Sequence, residues 1–139
     1  MTAQSYAAGD ADALALVLSV PLSFWGGIDV ETGRIIDHSH PDLGISITGT
    51  ILVMPGGRGS SSSSSVLAEA IRRGTGPAAI VLSIPDPILT VGALVAQALY
   101  GVRCPIVVGE TGRFRTGLRV RIRAGDTGPA DVVLSSSEF

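Results

Sequence analysis

One loop constrains the fold of this chain more than any other stretch, because it joins an apolar strand to an amphipathic helix through glycine and serine. The apolar run Ile51–Met54 is closed by Pro55, which predicts a buried strand. Downstream, the apolar residues of 66–71 fall on one helical face, and Gly74 supplies a stop. The six serines between them, 60–65, are therefore predicted to lie at a helix N-terminus.

A helix N-terminus in this position would attract an anion. Its first backbone N–H groups have no partner within the helix, and they form the positive end of the helix dipole. Gly56, Gly57 and Gly59 allow the backbone to approach a ligand closely, and the Arg58 guanidinium can bind a carboxylate or phosphate.

The alternative interpretation of the loop is a flexible Gly/Ser linker, which rarely lies between a buried strand and a patterned helix. Neither a Gly-Lys-Ser/Thr phosphate loop nor a Gly-x-Ser-x-Gly elbow is present.

A serine of this loop needs help to act as a base. A helix dipole contributes at most about 2 kcal/mol, which lowers a hydroxyl pKa by little more than about one unit. Further donors or a metal must complete such a site, and this sequence shows no obvious source of either.

Composition limits the classes of protein to which the chain can belong. With 139 residues, 45% of them hydrophobic, it is expected to form a single domain over 1–139 with one core. The net charge of −2 argues against nucleic acid as a partner. One cysteine excludes an internal disulfide and a cluster held by this chain's thiolates alone, so no metal site and a cytoplasmic location are expected. The apolar stretch 11–20 is too short to span a membrane.

The remaining pattern predicts an α/β fold with a mixed sheet. A flexible arm is expected over 1–12. Asp86 is a candidate N-cap with Pro87 at the first helical position, and the following helix is apolar nearly all round, so we expect it to be buried. Short links between strand and helix imply parallel strands. The other predicted elements are strands at 14–20, 46–54 with a break at Gly49, 78–83 and 105–108, and a helix over 88–100.

Several single residues have competing interpretations. Phe24 and Trp25 are predicted to pack in the core, or else to form the rim of a partner or ligand site. His38 and His40 have the i, i+2 spacing of a metal pair, but no further ligand completes a set, so a solvated loop, or else contact with a substrate or partner, is favoured. Cys104 is predicted to be a small core residue.

The C-terminal segment, 110–139, is rich in arginine. Apolar residues alternate there with arginines, which predicts an edge strand with its arginines in solvent, or else a docking surface. The alternating residues are Leu118, Val120 and Ile122 against Arg119, Arg121 and Arg123.

Five segments together resemble a known family, the small subunit or swivel domain of the aconitase X group. They are PLSFWGGID at 21–29, ETGRIID at 31–37, GRGS at 57–60, DPIL at 86–89 and GALV at 92–95. Their order and spacing are specific, and the match runs from about residue 14 to residue 108. The serine run is unbroken where the family mixes glycine, cysteine or threonine, and the C-terminal segment matches no pattern of the family.

The resemblance implies a swivelling β/β/α domain that pairs with an aconitase X large subunit. In this family an iron–sulfur cluster is held by cysteines of that large subunit. Members are hydro-lyases: the bacterial ones act on cis-3-hydroxy-L-proline and the archaeal ones on mevalonate 5-phosphate.

The family also implies roles for residues of the loop. The serine directly after Gly-Arg/Lys-Gly is taken as the proton acceptor, and it corresponds to Ser60. Ser64, four residues later, also fits the pattern, and Ser62 is the reserve. With Arg58 and Gly59, these two serines are expected to bind the carboxylate substrate.

The sequence therefore predicts a small subunit that supplies a serine base to a cis-3-hydroxy-L-proline dehydratase. Mevalonate 5-phosphate is the rival substrate. A stand-alone module that binds a small anion without chemistry is the alternative from another class.

Overall fold

The computed structural model describes residues 1–58 and 60–135 and shows a barrel with helices packed against its wall. The strands are β1 Thr2–Ala7, β2 Gly9–Val17, β3 Ile51–Met54, β4 Ala79–Leu82, β5 Ile106–Val108, β6 Arg119–Ala124 and β7 Pro129–Ser135. The helices are α1 Phe24–Gly27, α2 Ser63–Arg73 and α3 Pro87–Tyr100, with a 3₁₀ turn at Thr111–Arg113. The strands close the barrel in the order β1-β5-β4-β3-β2-β6-β7.

Strand β3 is buried on both faces, as its uninterrupted apolar run predicts. Leu52 and Met54 join the core beneath the helices, whereas Ile51 and Val53 point into the barrel. Strands β2 to β5 pair in parallel, and β1, β6 and β7 pair antiparallel with their neighbours. The predicted α/β fold with a mixed sheet is confirmed.

The prediction of a flexible arm over 1–12 is wrong. Strand β1 pairs with both β5 and β7 and closes the barrel, and β2 already begins at Gly9. The N-terminal amine of Met1 also donates to the carbonyl of Val132 at 2.8 Å. These small and polar residues are ordered by backbone pairing with distant strands, which local hydrophobicity does not reveal.

Two strand boundaries also differ from the prediction. The strand expected over 14–20 is β2, which ends at Val17. The strand expected over 46–54 is only β3, because Gly49 has a φ of 68° and the N–H of Thr50 turns back to the carbonyl of Ile47 at 3.2 Å.

Helix α3 begins and ends where the sequence predicts. The Asp86 carboxylate accepts from the N–H groups of Ile88 at 2.9 Å and Leu89 at 3.1 Å, and Gly101 ends the helix with a φ of 69°. The expectation that this apolar helix is buried is wrong, since it lies in the outermost layer and only one side packs on α2 and the barrel. That side consists of Leu89, Gly92, Ala93 and Ala96.

Within the described ranges, no helix has the length and apolar character needed to cross a membrane.

The arginine-rich strand β6 is not an edge strand, contrary to the prediction. It lies between β2 and β7, with Val120 and Ile122 inside the barrel and its arginines outside. Arg119 Nε donates to Asp12 Oδ1 at 2.9 Å. Asp10 and Asp12 of β2 lie opposite Arg123 and Arg121 in the strand pairing, so carboxylates flank the arginines. Closing the barrel turns a predicted edge into a cross-strand ladder.

Candidate functional site

A small cleft of about 90 Å³ opens between the start of α2 and the start of α3. It lies where β3 and β4 end, at the edge of the sheet where parallel α/β structures commonly place their sites. We call it the Ser60 cleft. Its lining residues are Gly57, Arg58, Ser60, Ser63, Asp86, Ile88 and Leu89.

Gly57 is needed for the close approach of the two helix starts. A β-carbon added there would collide with Asp86 Oδ2 and would lie 3.2 Å from Leu89 Cδ1. An isolated parallel bridge to Leu22 fixes the backbone at the same point. The glycine therefore holds the Asp86 carboxylate against the loop that carries the serines.

Ser60 has the geometry of a stabilised hydroxyl. Its Oγ accepts the backbone N–H of Ser62 at 3.0 Å, and its carbonyl accepts the N–H of Ser63 at 3.0 Å. The donor is the N–H of the N-cap residue at the positive end of α2, so it would stabilise negative charge on Oγ. Ser60 thus combines a place in the cleft with a backbone donor from the start of α2 that is aimed at its oxygen.

Ser62 and Ser64 are placed differently from Ser60. Ser62 is the N-cap residue of α2, but it makes no side-chain cap hydrogen bond. Ser64 Oγ donates to the carbonyl of Ser61 at 2.9 Å. Ser64 faces a shallow neighbouring groove rather than the Ser60 cleft, and the lining of this groove is Ser61, Ser64, Pro87, Ile88 and Val91.

Sequence reasoning did not single out Ser63. This serine is buried, and its Oγ accepts the backbone N–H of Trp25 at 3.1 Å. The signal was present, because residue 63 lies four positions before Leu67 on the buried face of the helix. The bond joins α1 to α2, so the backbone of Trp25 lies beside the serine loop.

The side chains of Phe24 and Trp25 lie in different environments. Phe24 is fully buried in the core beneath the helices, as predicted, whereas Trp25 is 59% exposed next to α2. Cys104 is also a core residue, as predicted, and burial raises the pKa of its thiol to about 12.

Arg58 is exposed at the mouth of the cleft, where an acidic residue lies close enough to interact with it. The side-chain and backbone hydrogen bonds donated by Ser39 lower the pKa of Asp37, and the charge of Arg58 lowers it further. Asp37 was not singled out in the sequence as a neighbour of the loop. The substrate-binding prediction for Gly59 lies outside the described residues.

The two histidines do not act as a pair. His38 is exposed, as a solvated loop predicts, but that prediction is wrong for His40, which is 5% exposed. His40 Nδ1 accepts the N–H of Asp42 at 3.0 Å, which requires an unprotonated Nδ1, so we regard the 3.9 Å approach of the Asp42 carboxylate as incidental. Across 1–58 and 60–135, no three His, Cys, Asp or Glu side chains cluster as metal ligands.

The chain belongs to the aconitase X swivel domain family, whose model matches residues 1–129. This is the family that the resemblance of the five segments predicts.

The relatives of the chain bear the names of two dehydratases. The chain is 39% identical over 129 residues to cis-3-hydroxy-L-proline dehydratase of Hypocrea jecorina, matching 93% of this chain and 22% of that protein. It is 48% identical over 104 residues to the Pseudomonas aeruginosa enzyme of the same name, matching 74% of this chain and 18% of that protein. The chain thus spans about a fifth of these relatives. It is also 42% identical over 119 residues to the phosphomevalonate dehydratase small subunit of Pyrococcus abyssi, matching 85% of this chain and 86% of that protein.

A solved structure shares the fold. The holo-form crystal structure of Thermococcus kodakaraensis aconitase X contains a chain that superposes with a TM-score of 0.83 at 32% identity. The match covers 96% of this chain and 98% of that one.

Proposed function

We propose that this chain is the small, swivel part of a hydro-lyase that dehydrates cis-3-hydroxy-L-proline, with Ser60 as the proton acceptor. One observation carries the proposal: Ser60 lines the cleft at the start of α2, and its Oγ accepts the Ser62 N–H at 3.0 Å. Membership of the aconitase X swivel family supports the reaction class.

The reaction removes a proton from the carbon that bears the carboxylate and a hydroxyl group from the next carbon. Deprotonated Ser60 Oγ takes the proton, so a C–H bond breaks and an O–H bond forms. The electron pair of the C–H bond then forms a C=C bond as the C–O bond breaks. The hydroxyl leaves as water by taking up one proton, which balances the proton that Ser60 gained and later releases. Arg58 holds the substrate carboxylate, whose charge increases as the proton departs.

This chain does not activate Ser60 sufficiently by itself. The helix dipole supplies at most about 2 kcal/mol, and a hydrogen bond to a charged oxygen adds about 1.5–3 kcal/mol. Together they lower the hydroxyl pKa by about three units, since one unit is about 1.4 kcal/mol. A serine hydroxyl needs more than this near neutral pH, so a partner must complete the site.

The partner in this proposal is an aconitase X large subunit, or the corresponding large part of a longer chain. The residues described here do not fit an iron–sulfur cluster, because Cys104 is buried and no set of three ligands is present. An iron–sulfur cluster therefore belongs to the large partner in this proposal. A cytoplasmic location belongs to the same proposal.

The charges that line the cleft favour the amino acid over the phosphate ester. The lining includes one cation, Arg58, and one carboxylate, Asp86. This pairing suits a zwitterion with a carboxylate and an ammonium group, whereas mevalonate 5-phosphate carries a dianionic phosphate that calls for additional cations. Asp37 further offsets the charge of Arg58.

The test is to combine the chain with its large partner and to assay both substrates. We expect turnover of cis-3-hydroxy-L-proline by the complex and none by either part alone. Turnover of mevalonate 5-phosphate alone would reassign the substrate. An active large partner that does not need this chain, together with anion binding by the chain itself, would instead support a non-catalytic binding module.

A further inference from the structure

One side of α3 is apolar and uncovered along its whole length. The helix has 14 residues, and none of them is charged. A surface helix normally carries charged or polar residues on its outer side, so this pattern is typical of a helix that another element covers. We call this side the α3 ridge; its residues, all exposed, are Pro87, Val91, Leu94, Val95, Ala98 and Leu99.

The ridge is continuous with the Ser60 cleft. Val91, Pro87 and Ile88 line the shallow groove that also contains Ser61 and Ser64. Ile88 lines the cleft as well, so a body that closes the cleft from outside meets the N-terminal end of the ridge.

More exposed apolar surface surrounds the cleft. Trp25 stands next to α2 through its bond to Ser63, and Ile84 lies beside Gly56, where an added β-carbon would be 3.2 Å from Ile84 Cγ1. Both side chains are largely exposed. Exposed apolar side chains therefore lie both near the cleft and along α3.

The size of the ridge indicates what covers it. A helix of this length is about 21 Å long and about 10 Å wide, so one side presents on the order of 200 Å². A stable interface needs about 800 Å² per partner. Two copies that met only through their ridges would fall short of this area, whereas a large body over both the ridge and the cleft could reach it.

We propose that the α3 ridge is a docking surface for the large part of the enzyme. That part would cover the ridge and complete the Ser60 cleft at the same time. This inference rests on the proposed function. Relatives in which the matching region is 22% and 18% of one chain contain a large remainder, which is the kind of body that this surface requires.

The experiment places a charge on the ridge and measures both binding and turnover. Leu94→Glu is tested in the full chain against the large partner by calorimetry, with Leu14→Glu on β2 as the matched control. The two leucines are 44% and 49% exposed, and neither lies in the cleft. We expect Leu94→Glu to raise the Kd at least tenfold, Leu14→Glu to change it less than twofold, and turnover at saturating partner to stay within twofold of wild type for both.

A second variant guards against misfolding. Leu99→Glu changes a ridge leucine that is 68% exposed, and it should weaken binding in the same way while circular dichroism and melting temperature match those of wild type. If the Kd is unchanged for both ridge variants in an active complex, the ridge is not the docking surface, and the proposed function stays intact. Concentration-dependent self-association that Leu94→Glu abolishes would overturn the docking proposal in favour of a second copy. If wild type binds no large partner, the proposed function fails first.

Discussion

Gly57→Ala tests how the loop, Asp86 and α3 are held together. A β-carbon at this position would collide with Asp86 Oδ2 and press on Leu89 Cδ1 at 3.2 Å. Gly57 does not have a positive φ, so alanine brings a clash without backbone strain. Relief of the clash requires Asp86 to move away from the N–H groups of Ile88 and Leu89 that it caps.

The expected cost follows from these two contacts. Losing an N-cap costs about 1 kcal/mol, and an extra methyl group in a packed region costs about 1–3 kcal/mol. We therefore expect Gly57→Ala to reduce the free energy of unfolding by about 2–4 kcal/mol. With an m value of about 2 kcal/mol per M, the urea midpoint falls by about 1–2 M.

The assay is urea unfolding followed by circular dichroism. Gly112→Ala is the control, because an added β-carbon there meets nothing within 4 Å, and it should stay within about 0.5 kcal/mol of wild type. Asp86→Ser keeps a good cap and shortens the side chain, so Gly57→Ala should cost at least about 1 kcal/mol less in that background. An equal cost in both backgrounds, or no cost in wild type, would refute the reasoning.

Three further predictions concern single side chains. Ser63→Ala removes the acceptor of the Trp25 N–H and should cost about 1–3 kcal/mol, whereas exposed Ser65→Ala should change unfolding by less than about 0.5 kcal/mol; equal effects would contradict the role of Ser63. Burial raises the pKa of the Cys104 thiol to about 12, so Cys104 should resist a thiol reagent at pH 8 until urea unfolds the chain. Fast labelling of the native protein would disprove its burial. Hydrogen bonds from Arg72 and Arg73 lower the pKa of Glu69 to about 2, so its stabilising effect is present above about pH 4.5 and is lost as the pH falls towards 2. Glu69→Gln should therefore be less stable than wild type at pH 7 but not at pH 2, and a difference that grows on acidification would contradict this sign.

The parts of the fold that depend on local sequence were predictable. Apolar runs identified β3 and β4, and a cap with a following proline identified the start of α3. Strand β1 was missed because its order comes from pairing with β5 and β7, which are about 100 and about 127 residues away in sequence. The same closure made the prediction that β6 is an edge strand wrong.

The candidate site was predictable in position but not in detail. The strand–loop–helix pattern placed Ser60 at a helix start, as found. The pattern could not show that Ser64 faces a neighbouring groove, because this depends on the rotation of the first turn of α2. Asp86 and Asp37 each lie near the serine loop because distant segments of the chain contact it. No single stretch of sequence indicates these two neighbours.

The most direct test of the account is the turnover of Ser60→Ala in the complex with the large partner. We predict that kcat on cis-3-hydroxy-L-proline falls by about two to four orders of magnitude, the range for a positioned acid or base, while the Kd for the partner is unchanged. Ser61→Ala, next to it and exposed, should remain near wild type. Turnover near wild type in Ser60→Ala, with collapse in Ser62→Ala or Ser64→Ala, would contradict the assignment of Ser60 as the base.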